Sequence, residues 1–475
     1  MSRRTRHAGR GLTATPLRVS VHPTAFVALC ALACAGWLTL RPDETLRVAD
    51  KYMRAQTIAS NFSGAVLIAR HGQVVFAGGY GDADIEHGVR NDTRTRFRIG
   101  SVTKPLTAIL VLKLQEDSAL SVGDPICKYL EPCPPQWAPL TIHHLLSHTS
   151  GVANLNADED VLVREAQPAT RDEVFARFRD APLRFPPGEK FEYSNSNYHL
   201  LGAIVEKVTG QTFGDALAQH VLVPAGMTDT FMDSTSAPAE RVAIGYRPTD
   251  DGALQPDAPA DPVWLFAAGG VFSTAEDLLR LGEALKGERL LTEASKSLMW
   301  TPVQGDYGYG WSMPEPAPMT LNRRIRMHGG RSQGYTAVFA QFVDDDVTGI
   351  VLSNNVMADT GSVVRDLAAI VLGEPYSIPI ARRTIKVDHA VLDRYAGRYH
   401  WSENYTLAVS REGDLLIARL DGLPDHYQLY PESPTQFFLK TVDVVAEFET
   451  NRRGETKQLV IRSPTQEFVA KRIAD

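Results

Sequence analysis

The segment FRIGSVTKPLTAILVLKLQ, residues 97–115, joins a short strand pattern to a long apolar run and carries two reactive side chains at the junction. Residues 97–99 alternate as a strand does, and the apolar run has the length and character of a buried helix. Ser101 and Lys104 then share one face of the first helical turn, because positions i and i+3 are neighbours on a helix. A hydroxyl nucleophile needs a nearby base, and a desolvated amine one turn away can serve as that base. The same pair also fits a helix cap followed by an exposed lysine, so its meaning depends on the rest of the chain.

Hairpin and helical patterns on both sides of this segment predict an antiparallel sheet. The expected elements are a helix at 44–60, a hairpin at 64–81, a hairpin at 334–355 and a helix at 362–373. The simplest arrangement is one sheet built from both ends of residues 42–376, flanked by the terminal helices, with a helical lobe inserted between the hairpins. The predicted fold class is therefore α/β in the α+β sense, with a cleft between sheet and lobe.

Two further motifs give the Ser101 segment its meaning. Y-S-N at 193–195 opens a second helical pattern, and H-G-G at 328–330 comes just before the late hairpin, at the edge of the expected sheet. S-x-x-K, Y-x-N, and Lys or His followed by x-Gly, in this order, are the motifs of the serine β-lactamase and penicillin-binding-protein superfamily. The chain resembles its class C β-lactamase-like branch, with D,D-peptidase, D-aminopeptidase and esterase relatives, over about 55–375.

Further phrases carry the same resemblance: LLSHTSG (145–151), PPGEKFEYSNSNYHLLG (186–202), AAGGVFSTAEDL (267–278) and YGYGW (307–311).

The resemblance implies catalytic roles for three residues. Ser101 is the nucleophile, and Lys104 holds or accepts its proton. Tyr193 is a second candidate base, acting as a phenolate stabilised by nearby positive charge, and would deliver the proton to the leaving group. Lys104 and Tyr193 form a coupled system, in which a single base need not be assigned.

Four residues are expected to bind substrate: Asn195, His328, Gly330 and Arg331. Asn195 would hydrogen-bond the substrate amide or orient the catalytic lysine. The backbone N–H groups of Ser101 and Arg331 would form the oxyanion hole, and Gly330 would let the strand backbone approach the substrate closely. Many β-lactamases carry Lys where His328 stands, and its fixed charge meets the carboxylate of the drug. A neutral histidine is a poorer carboxylate anchor at pH 7. The resemblance therefore favours the peptidase, aminopeptidase and esterase members over β-lactamases proper.

From residue 385 to 475 the pattern changes to short strands punctuated by turn signals such as Glu412-Gly413-Asp414. Such spacing is typical of a small antiparallel barrel or sandwich, so we predict a separate C-terminal β-barrel accessory domain. It resembles the barrels appended to D-aminopeptidase-type members. Such a domain either leans a loop over the cleft and filters substrates by size, or only packs against the first domain.

Residues 1–41 have the character of an export segment. Five arginines and no acidic residue precede AFVALCALACAGWLTL, residues 25–40, which is uncharged. Its sixteen residues reach ~24 Å as a helix, short of a ~30 Å hydrocarbon core but long for a signal peptide. A cleaved signal and a membrane anchor both fit, and either one predicts a periplasmic enzyme or one anchored on the outer side of the cytoplasmic membrane. In that oxidising compartment Cys127 and Cys133 could bridge, although two free thiols fit their spacing equally well.

The composition argues against nucleic acid as a binding partner. A net charge of −7 lacks the basic excess that nucleic-acid binding requires. The histidines at 143, 144 and 148 lack the glutamate of a zinc-protease helix, and we expect no metal and no organic cofactor. The expected function is an exported active-site-serine hydrolase that cleaves amide, peptide or ester bonds of D-amino-acid peptides, peptidoglycan-type substrates or small esters. The alternatives are a β-lactamase proper and a non-hydrolytic penicillin-recognising sensor or scaffold.

Overall fold

Residues between 42 and 376 fold around an antiparallel sheet, as the two hairpin patterns predict. The computed structural model describes residues 42–157, 161–233, 240–249, 253–402, 405–421, 426–440, 444–451, 453–463 and 467–473. The predicted export segment, residues 1–41, lies outside the described residues.

The helices are α1 (Pro42–Ser60), α2 (Thr103–Glu116), α3 (Ile142–Leu146), α4 (Val161–Glu165), α5 (Arg171–Arg179), α6 (Asn195–Thr209), α7 (Phe213–Leu217), α8 (Val223–Ala225), α9 (Pro262–Gly269), α10 (Ala275–Lys286), α11 (Glu293–Met299), α12 (Thr360–Leu372) and α13 (His389–Tyr395). The strands are β1 (Gly64–Arg70), β2 (Gln73–Tyr80), β3 (Asp82–Asp84), β4 (Val89–Arg90), β5 (Phe97–Arg98), β6 (Phe231–Met232), β7 (Tyr246–Pro248), β8 (Leu254–Pro256), β9 (Val271–Ser273), β10 (Ile325–Ser332), β11 (Tyr335–Phe342), β12 (Val347–Ser353), β13 (Gly397–Ser402), β14 (Tyr405–Glu412), β15 (Leu415–Leu420), β16 (His426–Pro431), β17 (Gln436–Phe438), β18 (Val445–Thr450), β19 (Thr456–Arg462) and β20 (Glu467–Ile473).

The main sheet, over the described residues, has five strands in the order β10-β11-β12-β1-β2. Strand β1 is buried on both faces: Ala65 and Leu67 belong to the larger core cluster, whereas Val66 and Ile68 belong to the core under α1 and α12. Strand pairing thus joins the two ends of this region, with Val66 opposite Val351. The H-G-G motif, which the sequence placed only at the sheet edge, lies within edge strand β10 itself.

Helix α2 is the central helix of the region between sheet and lobe. Its apolar side chains are buried on all sides, from Leu106 to Leu112, which explains why the sequence has no polar face there. A 3₁₀ turn, Gly100–Val102, precedes it directly. Ser101 therefore lies at the junction of strand β5 and the buried helix, as the sequence predicts.

The C-terminal strands β13 to β20, all within the described residues, form a closed antiparallel barrel of eight strands. The prediction of a barrel is confirmed, and the alternative of an open sandwich is wrong because β13 also pairs with β20. Helix α13 precedes the first strand, and Tyr395 at its end stacks on Phe448 inside the barrel, with 4.3 Å between ring centroids.

Cys127 and Cys133 form a disulfide, with their Cα atoms 5.3 Å apart. Of the two alternatives left open by the spacing, the structure contains the bridge. In the part of the chain that the structure describes, no helix has both the length and the apolar character needed to cross a membrane.

Candidate active site

Ser101 is held at the floor of a cleft by a turn that needs glycine. Gly100 has φ +51°, and a Cβ there would lie 2.7 Å from the backbone nitrogen of Arg331. Only glycine lets the 3₁₀ turn pack this closely against edge strand β10. The close approach puts the backbones of Ser101 and Arg331 side by side.

Lys104 is fully buried, and its Nζ contacts three oxygens. They are Ser101 Oγ at 2.9 Å, Asn195 Oδ1 at 2.8 Å and the Ala268 carbonyl oxygen at 2.9 Å. Burial holds the pKa of Lys104 well below its usual value, which favours the neutral amine. A neutral amine donates its two N–H groups to the Asn195 and Ala268 oxygens and turns its lone pair toward the Ser101 hydroxyl. Lys104 is thus positioned to take the nucleophile's proton.

Tyr193 lies on the other side of the nucleophile. Its hydroxyl donates to Ser101 Oγ at 3.0 Å, and Lys104 Nζ lies 4.8 Å from the centre of its ring. Burial raises the pKa of Tyr193 above its usual value, so the resting enzyme holds a neutral phenol. This direction opposes the resting phenolate expected from the resemblance, and it makes Tyr193 a proton donor before it is a base.

Aromatic rings fix the Tyr193 side chain from behind. The ring of His148 lies 4.3 Å from that of Tyr193, centroid to centroid, and His328 and Tyr307 each lie at 6.3 Å. Tyr307 Oη is 3.0 Å from His328 Nε2, and His328 Nδ1 is 2.6 Å from the Gly329 carbonyl oxygen. Because a carbonyl only accepts, Nδ1 carries the proton and the Tyr307 hydroxyl donates to Nε2.

His328 is therefore a buried, neutral histidine. Burial lowers its pKa to about 3. Among the described residues, those that line the cleft do not include His328. Its direct role in substrate binding stays a prediction. The geometry gives His328 a contact with the rings that hold Tyr193.

Gly330 lies where the strand must pass close to the nucleophile's turn. A Cβ at position 330 would overlap the Ile99 carbonyl oxygen and lie 3.1 Å from the Ser101 nitrogen. Strand β10 is the edge of the sheet, and the Arg331 nitrogen lies beside Gly100. The backbones of Ser101 and Arg331 therefore lie close together, and the oxyanion hole formed by their N–H groups stays a prediction.

Asn195 links the catalytic lysine to a buried carboxyl that sequence reasoning missed. Its Nδ2 donates to Asn156 Oδ1 at 2.8 Å, and Asn156 Nδ2 in turn donates to Glu165. Gln333 Nε2 donates to the other Glu165 oxygen at 2.9 Å. Burial raises the pKa of Glu165, which is only 6% exposed. No sequence motif marks Glu165 or Asn156, because both belong to irregular or short elements of the lobe.

The cleft has a volume of about 470 Å³ and is lined by residues of both domains. Ser101, Asn195, Glu165 and Arg331 contribute from the first domain. The barrel contributes mainly strand β16, through His426, Tyr427, Gln428 and Tyr430, together with Lys440. The barrel thus forms a wall of the cleft with a strand, where the sequence had suggested a loop.

Among the described residues, no group of three or more His, Cys, Asp or Glu side chains is arranged to hold a metal ion.

The fold and the Ser-Lys-Tyr arrangement define an active-site-serine hydrolase. The chain matches the Beta-lactamase family over residues 49–372, and it belongs to that family. Residues 381–473, which contain the barrel, match a family described as a domain of unknown function, DUF3471.

Relatives with different names share this family. The chain is 28% identical over 421 residues to penicillin-binding protein 4* of Bacillus subtilis, covering 82% of this chain and 90% of that protein. It is 32% identical over 309 residues to esterase EstB of Burkholderia gladioli, covering 56% of this chain and 74% of that protein. Among solved structures, an octameric penicillin-binding protein homologue from Pyrococcus abyssi has a TM-score of 0.63 and 25% identity, covering 90% of this chain and 99% of the other.

Proposed function

We propose that this chain is an exported hydrolase that cleaves amide, peptide or ester bonds through a covalent acyl-enzyme on Ser101. The observation that carries the proposal is the position of Ser101 Oγ, which lies 2.9 Å from Lys104 Nζ and 3.0 Å from the Tyr193 hydroxyl, at a cleft. A base on one side of the nucleophile and an acid on the other are what acyl transfer to a serine requires.

In acylation, Ser101 Oγ bonds to the substrate carbonyl carbon while its proton moves to Lys104 Nζ. The N–H groups of Ser101 and Arg331 donate to the oxyanion. The bond to the leaving group then breaks, the leaving atom takes the proton of the Tyr193 hydroxyl, and the Lys104 ammonium restores that proton. In deacylation, a water oxygen attacks the acyl carbon and its proton passes to Lys104. Ser101 Oγ then departs and takes that proton back from Lys104, which regenerates the hydroxyl and the neutral amine.

For the substrate, we propose a free amino group near the scissile carbonyl. Glu165 is a buried carboxyl on the cleft wall, and both of its oxygens are oriented by amide donors. A substrate ammonium would add a charge-assisted hydrogen bond to an oriented carboxylate. Arg331 and Lys440 line the same cleft and suit a carboxylate at another part of the substrate. An amino-acid amide, ester or short peptide, including those of D configuration, has this charge pattern.

The substrate proposal is tested with Glu165→Gln, which keeps the shape of the side chain and removes its charge. We expect kcat/KM for an amino-acid p-nitroanilide to fall by about tenfold or more, the size of one charge-assisted hydrogen bond. The N-acetylated substrate should change little, because it has no ammonium. An equal loss for both substrates would assign Glu165 to the structure of the Asn195 network instead.

The reaction class is tested with a substrate panel: p-nitrophenyl esters, D- and L-amino-acid anilides, D-Ala-D-Ala peptides and a chromogenic cephalosporin. We expect repeated turnover of esters or amides, preceded by a burst of one product equivalent where deacylation is slow. If every substrate gave at most a burst and none gave repeated turnover, the penicillin-recognising sensor would be favoured. Turnover of the cephalosporin far above the others would favour a β-lactamase proper.

Export is the remaining part of the proposal. It rests on the arginine-rich start and the uncharged run at 25–40. An alkaline phosphatase fusion after residue 60 should be active in an export-competent host. A fusion that is inactive, while a reporter active only in the cytoplasm works at the same position, would contradict export.

A further inference from the structure

The C-terminal barrel contains an apolar cavity that the hydrolytic chemistry does not use. Its volume is about 280 Å³, and it is separate from the catalytic cleft. Small and aliphatic side chains line it, Ala418 and Ala446 among them, with Trp401 and Phe468 as larger neighbours. A barrel of eight strands has an interior that is either filled by side chains or holds one small ligand.

One end of this barrel is filled by side chains, and the other end contains the cavity. Near helix α13, four aromatic rings, those of Tyr395, Tyr399, Phe437 and Phe448, pack together with centroid distances between 4.3 and 5.9 Å. At the other end, inward-facing apolar side chains such as Leu420 and Leu439 are only partly buried. The cavity lies at that end, where Leu420, Leu439 and Ile461 are among its lining residues.

Strand β16 separates the cavity from the catalytic cleft. Tyr427 and Leu429 line the cavity, whereas His426 and Gln428 line the cleft, and Tyr427 borders both. Leu439 lines the cavity, and its neighbour Lys440 lines the cleft. The basic side chains of His426 and Lys440 are therefore sequence neighbours of the cavity-lining residues Tyr427 and Leu439, and they lie on the cleft side.

We propose that this cavity binds the alkyl chain of a medium-chain carboxylic acid or acyl group, with the polar end toward Lys440 and His426. Apolar cavities take up apolar ligands, and one of ~150 Å³ holds benzene. On that scale a cavity of 280 Å³ holds about ten carbon atoms. The hydrocarbon suits the interior, and the carboxylate or ester oxygen suits the basic border.

The test is calorimetric titration of the full-length protein with saturated carboxylates of increasing length. We expect binding to tighten about fourfold for each added methylene, the usual gain on burying one, and to level off near ten carbons, when the cavity is full. Ala418→Leu fills the cavity and should weaken decanoate binding at least tenfold. Ala408→Leu makes the same change on the adjacent strand, where Ala408 pairs with Arg419 and faces outward, and should bind decanoate as the wild type does.

Two further measurements make the result decisive. Ala446→Leu fills the cavity from another strand and repeats the test if Ala418→Leu is unstable. Titration after blocking Ser101 with a phosphonate locates the ligand: retained binding supports the cavity, whereas lost binding would place decanoate in the catalytic cleft and overturn the proposal. The proposal is overturned if decanoate does not bind, or if it binds the filled variants as tightly as the wild type. Neither result would affect the proposed hydrolysis at Ser101.

Discussion

Gly330→Ala tests the oxyanion hole through the close approach of strand β10 to the turn that carries Ser101. The new Cβ would overlap the Ile99 carbonyl oxygen and lie 2.9 Å from the Ile99 carbonyl carbon, against 3.4 Å or more for ordinary contact. Strand β10 and the turn that carries Ser101 must therefore separate by about 1 Å or more, and a misplacement of that size costs ~100-fold in rate. Loss of one oxyanion donor costs about 10²–10³-fold. We therefore expect Gly330→Ala to lower kcat/KM about 10²–10³-fold.

The neighbouring glycine provides a matched control. At Gly329 an added Cβ would have its nearest neighbour, the Ala337 carbonyl oxygen, at 4.0 Å, so Gly329→Ala fits without a shift. We expect its kcat/KM on a p-nitrophenyl ester to stay within about twofold of the wild type. Circular dichroism and thermal unfolding would show that both variants fold. Retention of more than a tenth of the activity by Gly330→Ala, or an equal loss in both variants, would contradict an oxyanion hole at this position.

Three other predictions follow from the Ser-Lys-Tyr geometry. Tyr193→Phe keeps the ring packed on His148 and removes the proton donor. We expect kcat/KM to fall about 10²–10⁴-fold for an amide but far less for the p-nitrophenyl ester of the same acyl group, because that leaving group needs no proton. Equal losses for the two substrates would mean that Tyr193 acts on the nucleophile instead. The reactive form of Lys104 is the neutral amine, so kcat/KM should rise with pH through the lowered pKa of Lys104. The pH profile of Tyr193→Phe should keep this rise. Loss of the rise in Tyr193→Phe would assign it to Tyr193. His328→Lys puts an ammonium behind the Tyr193 ring and near Lys104, so kcat/KM should fall alike for all substrates, whereas a selective gain for carboxylate-bearing substrates would support direct substrate binding at position 328.

The parts of the fold with a local signal could be predicted from the sequence. The sheet-forming hairpins have alternating apolar runs around tight turns, and the turn His71-Gly72 joins β1 to β2 as expected. The S-x-x-K spacing brought Ser101 and Lys104 together because one helical turn determines their distance. The order of the three motifs then brought Tyr193 to the same place through a resemblance to known enzymes.

The parts that depend on tertiary contacts could not be predicted. Glu165 lies on a five-residue helix with no motif, and only the chain of amides from Asn195 makes it part of the site. The Ala268 carbonyl, which accepts from Lys104, is a backbone atom, and side-chain patterns do not report on backbone acceptors. Strand β16 of the barrel reaches the cleft by packing between two domains, which no short stretch of sequence encodes.

The most direct test of the central claim is mass spectrometry of the enzyme after acid quenching during turnover of a p-nitrophenyl ester or an amino-acid anilide. In the wild type we expect a mass increase equal to the acyl group, located by proteolysis on the peptide that contains Ser101. Ser101→Ala should show no such increase. Slow deacylation would increase the labelled fraction and make the adduct easier to detect. An acyl adduct on any other residue, or continued turnover by Ser101→Ala, would contradict the assignment of Ser101 as the nucleophile.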